Sequence, residues 1–336
     1  MKSAHINVPW LVRIKPDALQ RLGLYLARSC LTPVALLHSE GLLQSILDMA
    51  RQSLLDQGIA LALSHEVKEA SVEEAVHLLG VVPSSCKAFI GVGGGKALDV
   101  AKYTSSLAGL PYFAAPTSLS NDGFCSPQAS LTLEGKRRSL PTGLPEAVIV
   151  DLAVCQRAPV MLWHSGVGDL SSKFTAVSDW KLAFHRRGVP VNDLAALISD
   201  ASVFQFMAIP VPDEQGIRLL ATALMLNGIA MEIAGSSRPA SGSEHLISHA
   251  LDMTGARQRL HAFRRGRQPT SSAACRAATT TIESGSCSRE QASGIPSESS
   301  PSPKRNGGSL WNEHPRLKRI FTPFSPKGRR GQSSPG

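Results

Sequence analysis

The chain lacks any closely spaced pair of cysteines. Cys30, Cys86, Cys125, Cys155, Cys275 and Cys287 are scattered along it, without the short spacing of a zinc finger or the density of a secreted disulfide scaffold, so reduced thiols in a cytoplasmic protein are expected. The opening residues Met1-Lys2-Ser3-Ala4-His5 lead into no apolar core of signal-peptide type. No membrane span is expected either, because the longest apolar helix candidate, Leu219 to Met231, is shorter than the roughly 20 residues that cross a bilayer. Aromatic residues make up only 5% of the chain. No aromatic periodicity runs among the basic pairs Lys304-Arg305, Lys318-Arg319 and Arg329-Arg330, which argues against a specific nucleic-acid surface.

Charge is present but unevenly placed. Residues 1–254 hold 20 Lys and Arg against 22 Asp and Glu, whereas residues 255–336 hold 15 against 4. The net charge of +9 therefore belongs to the tail, and the first three quarters have the balance of a weakly acidic soluble protein. Beyond Gly255 helical periodicity stops, and text such as Ser297-Glu298-Ser299-Ser300-Pro301-Ser302-Pro303 takes over. Such composition buries too little apolar area to offset the entropy of ordering, so disorder is expected over 255–336.

With 336 residues there is room for two domains that each bury a core. Apolar residues at helical spacing over 17–29 and 41–56 flank the apolar run Pro33-Val34-Ala35-Leu36-Leu37, and the run Ile59 to Leu63 precedes a helix-like Val72 to Leu79. Further runs enter the glycines after Phe89 and recur at Tyr112 to Ala115 and Ala147 to Val150. This alternation predicts an α/β domain over residues 1–158, a doubly wound, mainly parallel, Rossmann-like sheet with helices on both faces. From Pro159 the strand-like runs cease. Segments 168–183, 192–207, 213–234 and 243–252 are read as helices, which gives an all-helical domain over 159–254 whose central helix, 216–235, is expected to be almost wholly buried.

The most informative stretch is Phe89-Ile90-Gly91-Val92-Gly93-Gly94-Gly95-Lys96-Ala97-Leu98-Asp99, where an apolar run ends in three glycines and turns helical. Backbone N–H groups and the positive end of a helix can approach a diphosphate there, although the spacing is not Gly-x-Gly-x-x-Gly and a plain strand-to-helix turn accounts for it as well. After the next strand, Thr117-Ser118-Leu119-Ser120-Asn121-Asp122-Gly123 is either a ligand-contacting strand end or a polar turn. Asp169, in Gly168-Asp169-Leu170-Ser171-Ser172-Lys173, is either the N-cap of a helix or a metal ligand. His245 and His249 lie four residues apart on one helix face, with His261 further on. One Asp and two His with an open position suit a catalytic divalent metal.

Four segments, Gly93 to Asp99, Pro116 to Gly123, Gly168 to Lys173, and Ser236-Ser237-Arg238-Pro239-Ala240-Ser241-Gly242-Ser243-Glu244-His245, together resemble the sn-glycerol-1-phosphate dehydrogenases. These belong with the iron-containing alcohol dehydrogenases, glycerol dehydrogenases and dehydroquinate synthases. The resemblance runs from about residue 10 to about residue 261. It implies reversible reduction of dihydroxyacetone phosphate to sn-glycerol 1-phosphate by NADH or NADPH. The motif Gly93, Gly94, Gly95, Lys96, Ala97, Leu98, Asp99 would then hold the cofactor diphosphate, with Thr117, Ser118, Leu119, Ser120 and Ser126 on the rest of the nucleotide. Asp122 would touch substrate, Asp169, His245 and His261 would bind a divalent metal, zinc before iron or nickel, and Asp169 and His249 would face the substrate as the catalytic pair. A homo-oligomer is also allowed.

The chain departs from that family after His261, where Ala262-Phe263-Arg264-Arg265 replaces Gly-Glu and a set of long helices. Family-like sequence on one side and Arg-, Ser- and Pro-rich text on the other is the pattern of a shifted reading frame. The helical domain is therefore expected to be truncated, with the apolar helix 216–235 left uncovered. The alternatives are a glycerol or primary-alcohol dehydrogenase of the same group, or a nucleotide-binding remnant without turnover.

Overall fold

Four strands that are apolar along most of their length set the architecture, and the computed structural model describes it for residues 6–208 and 211–247. Six strands form one sheet: β1 (Leu11–Lys15), β2 (Val34–Ser39), β3 (Leu61–Val67), β4 (Ala88–Gly93), β5 (Tyr112–Pro116) and, after an intervening hairpin, β8 (Ala147–Asp151). Their order is β1-β8-β5-β4-β2-β3 and every pairing is parallel. All five or six residues of β4, β5 and β8 are buried, as parallel strands covered on both faces require.

Alternation along each strand feeds two cores. Val34, Leu36, Ile90, Val92 and Phe113 pack toward α1 (Leu22–Ala27) and α2 (Gln44–Leu55). Ala35, Leu37, Phe89 and Ala114 pack toward α3 (Val72–Val81) and α4 (Gly95–Ala108). The doubly wound sheet expected from the sequence is thus present. The structure adds β1, and an antiparallel hairpin of β6 (Gln128–Leu133) and β7 (Lys136–Pro141), which the sequence reading did not include. The hairpin closes through Glu134 and Gly135 at φ 51° and 73°, the two-residue turn whose twist matches paired strands.

The order of strands reverses between β2 and β4. From β2 the chain moves to β3 on one side, then returns to build β4, β5 and β8 on the other. Ligands in open sheets bind beyond the carboxyl ends of strands at such a reversal, and here that place holds the Gly93 turn.

The helical part consists of α5 (Leu152–Gln156), α6 (Val160–Arg187), α7 (Asp193–Met207) and α8 (Glu214–Ala234), with residues 243–247 also helical. Helix α6 starts at Val160 and not near 168, so Asp169 is an interior residue of a helix and not its N-cap. Two glycines in its first turns do not end it, because a Cβ at Gly166 would collide with the Leu119 carbonyl: glycine there lets the helix lie against the loop after β5. Helix α8 has 21 residues and is long and apolar enough, by length and composition, to cross a membrane. This corrects the expectation that it is too short. Its packing is that of a core helix: from Gly216 to Ala234 no residue is exposed, and Leu220 and Leu224 share one cluster with Val148 and Val150 of β8. The large exposed apolar side chains of these helices lie on α6, among them Leu182 and Phe184, and on α7, Leu194, Leu197 and Phe204, and not on α8.

Candidate active site

At the cradle, Gly93 takes φ 141°, and a Cβ there would overlap the Ser39 hydroxyl at the end of β2. The same hydroxyl accepts the Gly94 N–H at 2.9 Å, which fixes the turn against the neighbouring strand. Gly94 precedes α4, so the N–H groups of Gly95, Lys96 and Ala97 head a 14-residue helix without an i−4 carbonyl. They present an anion site with the helix dipole behind it. Ala97 and Leu98 are buried in the core. Thr117 donates its N–H to the Gly93 carbonyl at 3.0 Å, which ties the loop Thr117 to Ser120 to the cradle. Leu119 is a core residue, so that loop offers a ligand the hydroxyls of Thr117, Ser118 and Ser120.

A cavity of about 640 Å³ opens beside this loop. Asp122, Ser126, Asp169 and His245 all line it, as do Arg137 from β7 and Arg238. Asp99 lines it as well, because its carboxylate turns inward to Lys102 at 3.5 Å. Burial pushes the Asp99 carboxyl above the usual range, against the lowering influence of Lys102 and Arg137.

The centre of the site is a residue the sequence reading left without a role. Lys173, 1% exposed, places its Nζ 2.6 Å from Asp122 Oδ2, 3.0 Å from Asp169 Oδ2 and 3.2 Å from the Ala240 carbonyl. Asp169 Oδ2 also accepts the Asp122 N–H at 3.1 Å. One ammonium thus binds together α6, the loop after β5, and the Ser236 to Glu244 segment. The sequence signal was the i,i+4 spacing of Asp169 and Lys173.

The Ser236 to Glu244 segment is held from several sides. The Ser199 hydroxyl of α7 lies 2.9 Å from the Pro239 carbonyl and 2.7 Å from Asn227 Oδ1 of α8. Asn227, a fully buried polar residue of α8, gives its N–H groups to Ser202 at 2.7 Å and the Ala223 carbonyl at 2.8 Å. Asp179 of α6 accepts the Ser243 N–H at 2.8 Å.

His245 Nδ1 lies 2.9 Å from Glu244 Oε1, which also accepts the Gly242 N–H at 2.9 Å. Burial pushes the Glu244 carboxyl up, but the hydrogen bonds from His245 and Gly242 outweigh it and hold the group below the usual range. A carboxylate on Nδ1 holding the proton there is the arrangement usual for a metal-bound histidine, which then coordinates through Nε2. Asp169 and His245 on one cavity wall, an oxygen and an imidazole donor, therefore fit a borderline divalent cation. Among the described residues no cluster of three or more His, Cys, Asp or Glu forms. His249 and His261 lie outside the described residues. Burial pushes the thiols of Cys125 and Cys155 up to about 12, which disfavours the nucleophilic thiolate.

Residues 13–159 match the profile of the iron-containing alcohol dehydrogenase family. A glycerol-1-phosphate dehydrogenase of Pyrococcus furiosus is 42% identical over 205 residues, 60% of this chain and 59% of that protein. One of Thermofilum pendens is 46% identical over 170 residues, 49% of each. The chain spans about three fifths, or less, of the length of such curated relatives. Among solved structures, a probable glycerol dehydrogenase from Sinorhizobium meliloti superposes with a TM-score of 0.67 at 20% identity, covering 82% of this chain and 81% of that one. A sulfoacetaldehyde reductase from Bifidobacterium kashiwanohense, solved with NAD+, gives 0.58 at 20% identity over 77% and 73%. The sheet domain is thus similar to the iron-containing alcohol dehydrogenases over residues 13–159, and the chain shares its fold with glycerol dehydrogenases and related reductases of known structure.

Proposed function

We propose that this chain is an NAD(P)-dependent sn-glycerol-1-phosphate dehydrogenase that reduces dihydroxyacetone phosphate at the Asp122–Asp169–His245 cavity. The observation that carries the reading is the placing of those three side chains on one cavity next to the loop that is hydrogen-bonded to the Gly93 cradle. The names of the relatives at about 40% identity support the choice of reaction. NAD(P)H supplies the hydride, and a divalent cation, zinc before iron or nickel, supplies charge on the ketone oxygen.

The chain's own residues do the rest. Gly94 and the first turn of α4 bind the diphosphate, with Lys96 exposed at their side. Thr117, Ser118, Ser120 and Ser126 orient the remainder of the nucleotide. Asp169 and His245 hold the cation, with His261 as the expected third ligand. Lys173 keeps Asp169 and Asp122 in one orientation, which matters because a positional error of an ångström at a reacting centre costs orders of magnitude in rate. Asp122 takes a substrate hydroxyl, and His249 serves as the proton-exchanging group.

A phosphorylated substrate is favoured over glycerol by the two arginines on the wall, Arg137 and Arg238. The test is oxidation of NADPH by the purified full chain with zinc and dihydroxyacetone phosphate, with unphosphorylated dihydroxyacetone as comparison. Turnover on the phosphate ester, with a KM at least about tenfold lower than on the free ketone, is expected from one charge-assisted contact. In Arg238→Ala that preference falls by about tenfold. Equal use of both ketones points to the glycerol dehydrogenase alternative, and nucleotide binding without turnover to a remnant.

Glu244→Gln is expected to weaken zinc binding by about 10- to 100-fold, as loss of the partner that orients a ligating imidazole does. Competition against a chromogenic chelator measures this directly, and an affinity within about twofold of wild type removes Glu244 from the account.

A further inference from the structure

Lys102 is a buried lysine that neither hydride transfer nor metal binding uses. It lies on α4, two turns from the cradle, and is 1% exposed. Its Nζ donates to three main-chain carbonyls, Gly123 at 2.7 Å, Ser126 at 3.1 Å and Gln128 at 2.7 Å. An ammonium has three N–H groups and no more, so its donors are all committed to one stretch of loop. Asp99, one turn back on the same helix, balances the charge at 3.5 Å.

The stretch so gripped joins the short 3-10 helix Asp122–Cys125 to β6. It carries Asp122 and Ser126, both on the cavity wall. Its other main-chain groups bond as follows: Gly123 N–H to Asn121 Oδ1 at 2.8 Å, Ser126 N–H to the Gly123 carbonyl at 3.4 Å, Gln128 N–H to Ser126 Oγ at 3.2 Å, and the Pro127 carbonyl accepts the Thr142 N–H at 2.9 Å. The helix that starts at the nucleotide cradle and the loop that presents Asp122 are therefore joined by one buried ammonium, beside the apolar packing of Leu98 with Phe124 and Cys125.

We propose that Lys102 is a positioning residue that sets the distance between the nucleotide cradle and the Asp122–Ser126 wall of the cavity. The assignment of substrate and nucleotide contacts on that wall rests on the proposed function, but the mechanical coupling does not. The cradle has its own anchor in Ser39, so loss of Lys102 should loosen the loop and leave the cradle.

The test is amide hydrogen exchange on the full chain, read by peptide mass spectrometry, for wild type and Lys102→Met, which has similar reach and no N–H. Exchange over residues 120–130 is expected to speed up at least about tenfold, while residues 88–98 change by less than about twofold, because the opening is local. In the same variant the KM for dihydroxyacetone phosphate rises about tenfold or more, because Asp122 moves with the loop, and the dissociation constant for NADPH rises by a smaller factor, because the cradle stays while Ser126 moves, a split that general destabilisation does not give. Unchanged exchange over 120–130, or an equal rise in both segments, overturns the proposal. If Lys102→Met does not fold, Lys102→Gln, which keeps two N–H donors on a shorter arm, is read in the same peptides by the same criteria. A wild-type chain without turnover would overturn the proposed activity and leave the exchange comparison standing.

Discussion

Gly93→Ala raises the dissociation constant for NADPH by roughly 30- to 1,000-fold. At φ 141° an L-residue is strained by about 1–3 kcal/mol. The added methyl also occupies the place of the Ser39 hydroxyl, which ends its hydrogen bond to the Gly94 N–H, worth about 1 kcal/mol. The turn relieves both by swinging away from β2, and the N–H groups of Gly95, Lys96 and Ala97 lose their common focus. Together about 2–4 kcal/mol is lost from nucleotide binding, which gives that range of affinity. Fluorescence titration of the reduced nucleotide measures it, with circular dichroism confirming that the sheet persists. Binding within threefold of wild type would mean that the cradle does not hold the diphosphate.

Lys173→Met lowers thermal stability by roughly 6–20 °C. The substitution preserves length and removes the charge, leaving Asp122 and Asp169 facing each other where an ammonium lay 2.6 and 3.0 Å away. Removing one partner of a buried ion pair costs about 3–5 kcal/mol, and each kcal/mol shifts the midpoint by about 2–4 °C in a domain of this size. The Ala240 carbonyl also loses its donor, which leaves Asp179 as the hydrogen-bonded tie between α6 and the Ser236 to Glu244 segment. Differential scanning calorimetry on the full chain reads the shift, and a midpoint moved by less than about 2 °C would show that the carboxylates are held by something other than Lys173.

Strands covered on both faces were legible in the sequence, because burial on two sides leaves a continuous apolar run: β2, β4, β5 and β8 were each recognisable within two residues of their ends. β7 was not. Its sequence Lys136-Arg137-Arg138-Ser139-Leu140-Pro141 is almost wholly exposed, and a strand that buries no face carries no apolar alternation. The start of α6 was hidden for a different reason. Gly166 and Gly168 read as a break, yet tertiary contact with the Leu119 carbonyl requires glycine inside the helix, and packing overrides propensity.

The candidate site divides along the same line. Glycines and small hydroxyl residues at the carboxyl end of a parallel strand suit close approach of a ligand to the main chain, so the cradle and the Thr117 to Ser120 loop stand out from sequence alone. Lys102 and Lys173 do not, since a lysine on a helix is ordinarily solvated. Only the spacing to Asp99 and Asp169, three and four residues away, hints that each is paired. Asp169 is recognisable as a candidate ligand from its pairing with the histidines, and the competing N-cap reading fails: its carboxylate lies within α6 and is positioned by Lys173 and by the main chain of Asp122.

The measurement that bears most directly on the account is zinc content of the full chain after dialysis against metal-free buffer, with Asp169→Ala and His245→Ala prepared in parallel. The account predicts about one zinc per wild-type chain and less than about a tenth of that in either variant, since a divalent site does not survive the loss of a ligand at ordinary affinity. A wild-type chain that retains no metal, or variants that retain as much as wild type, would contradict it.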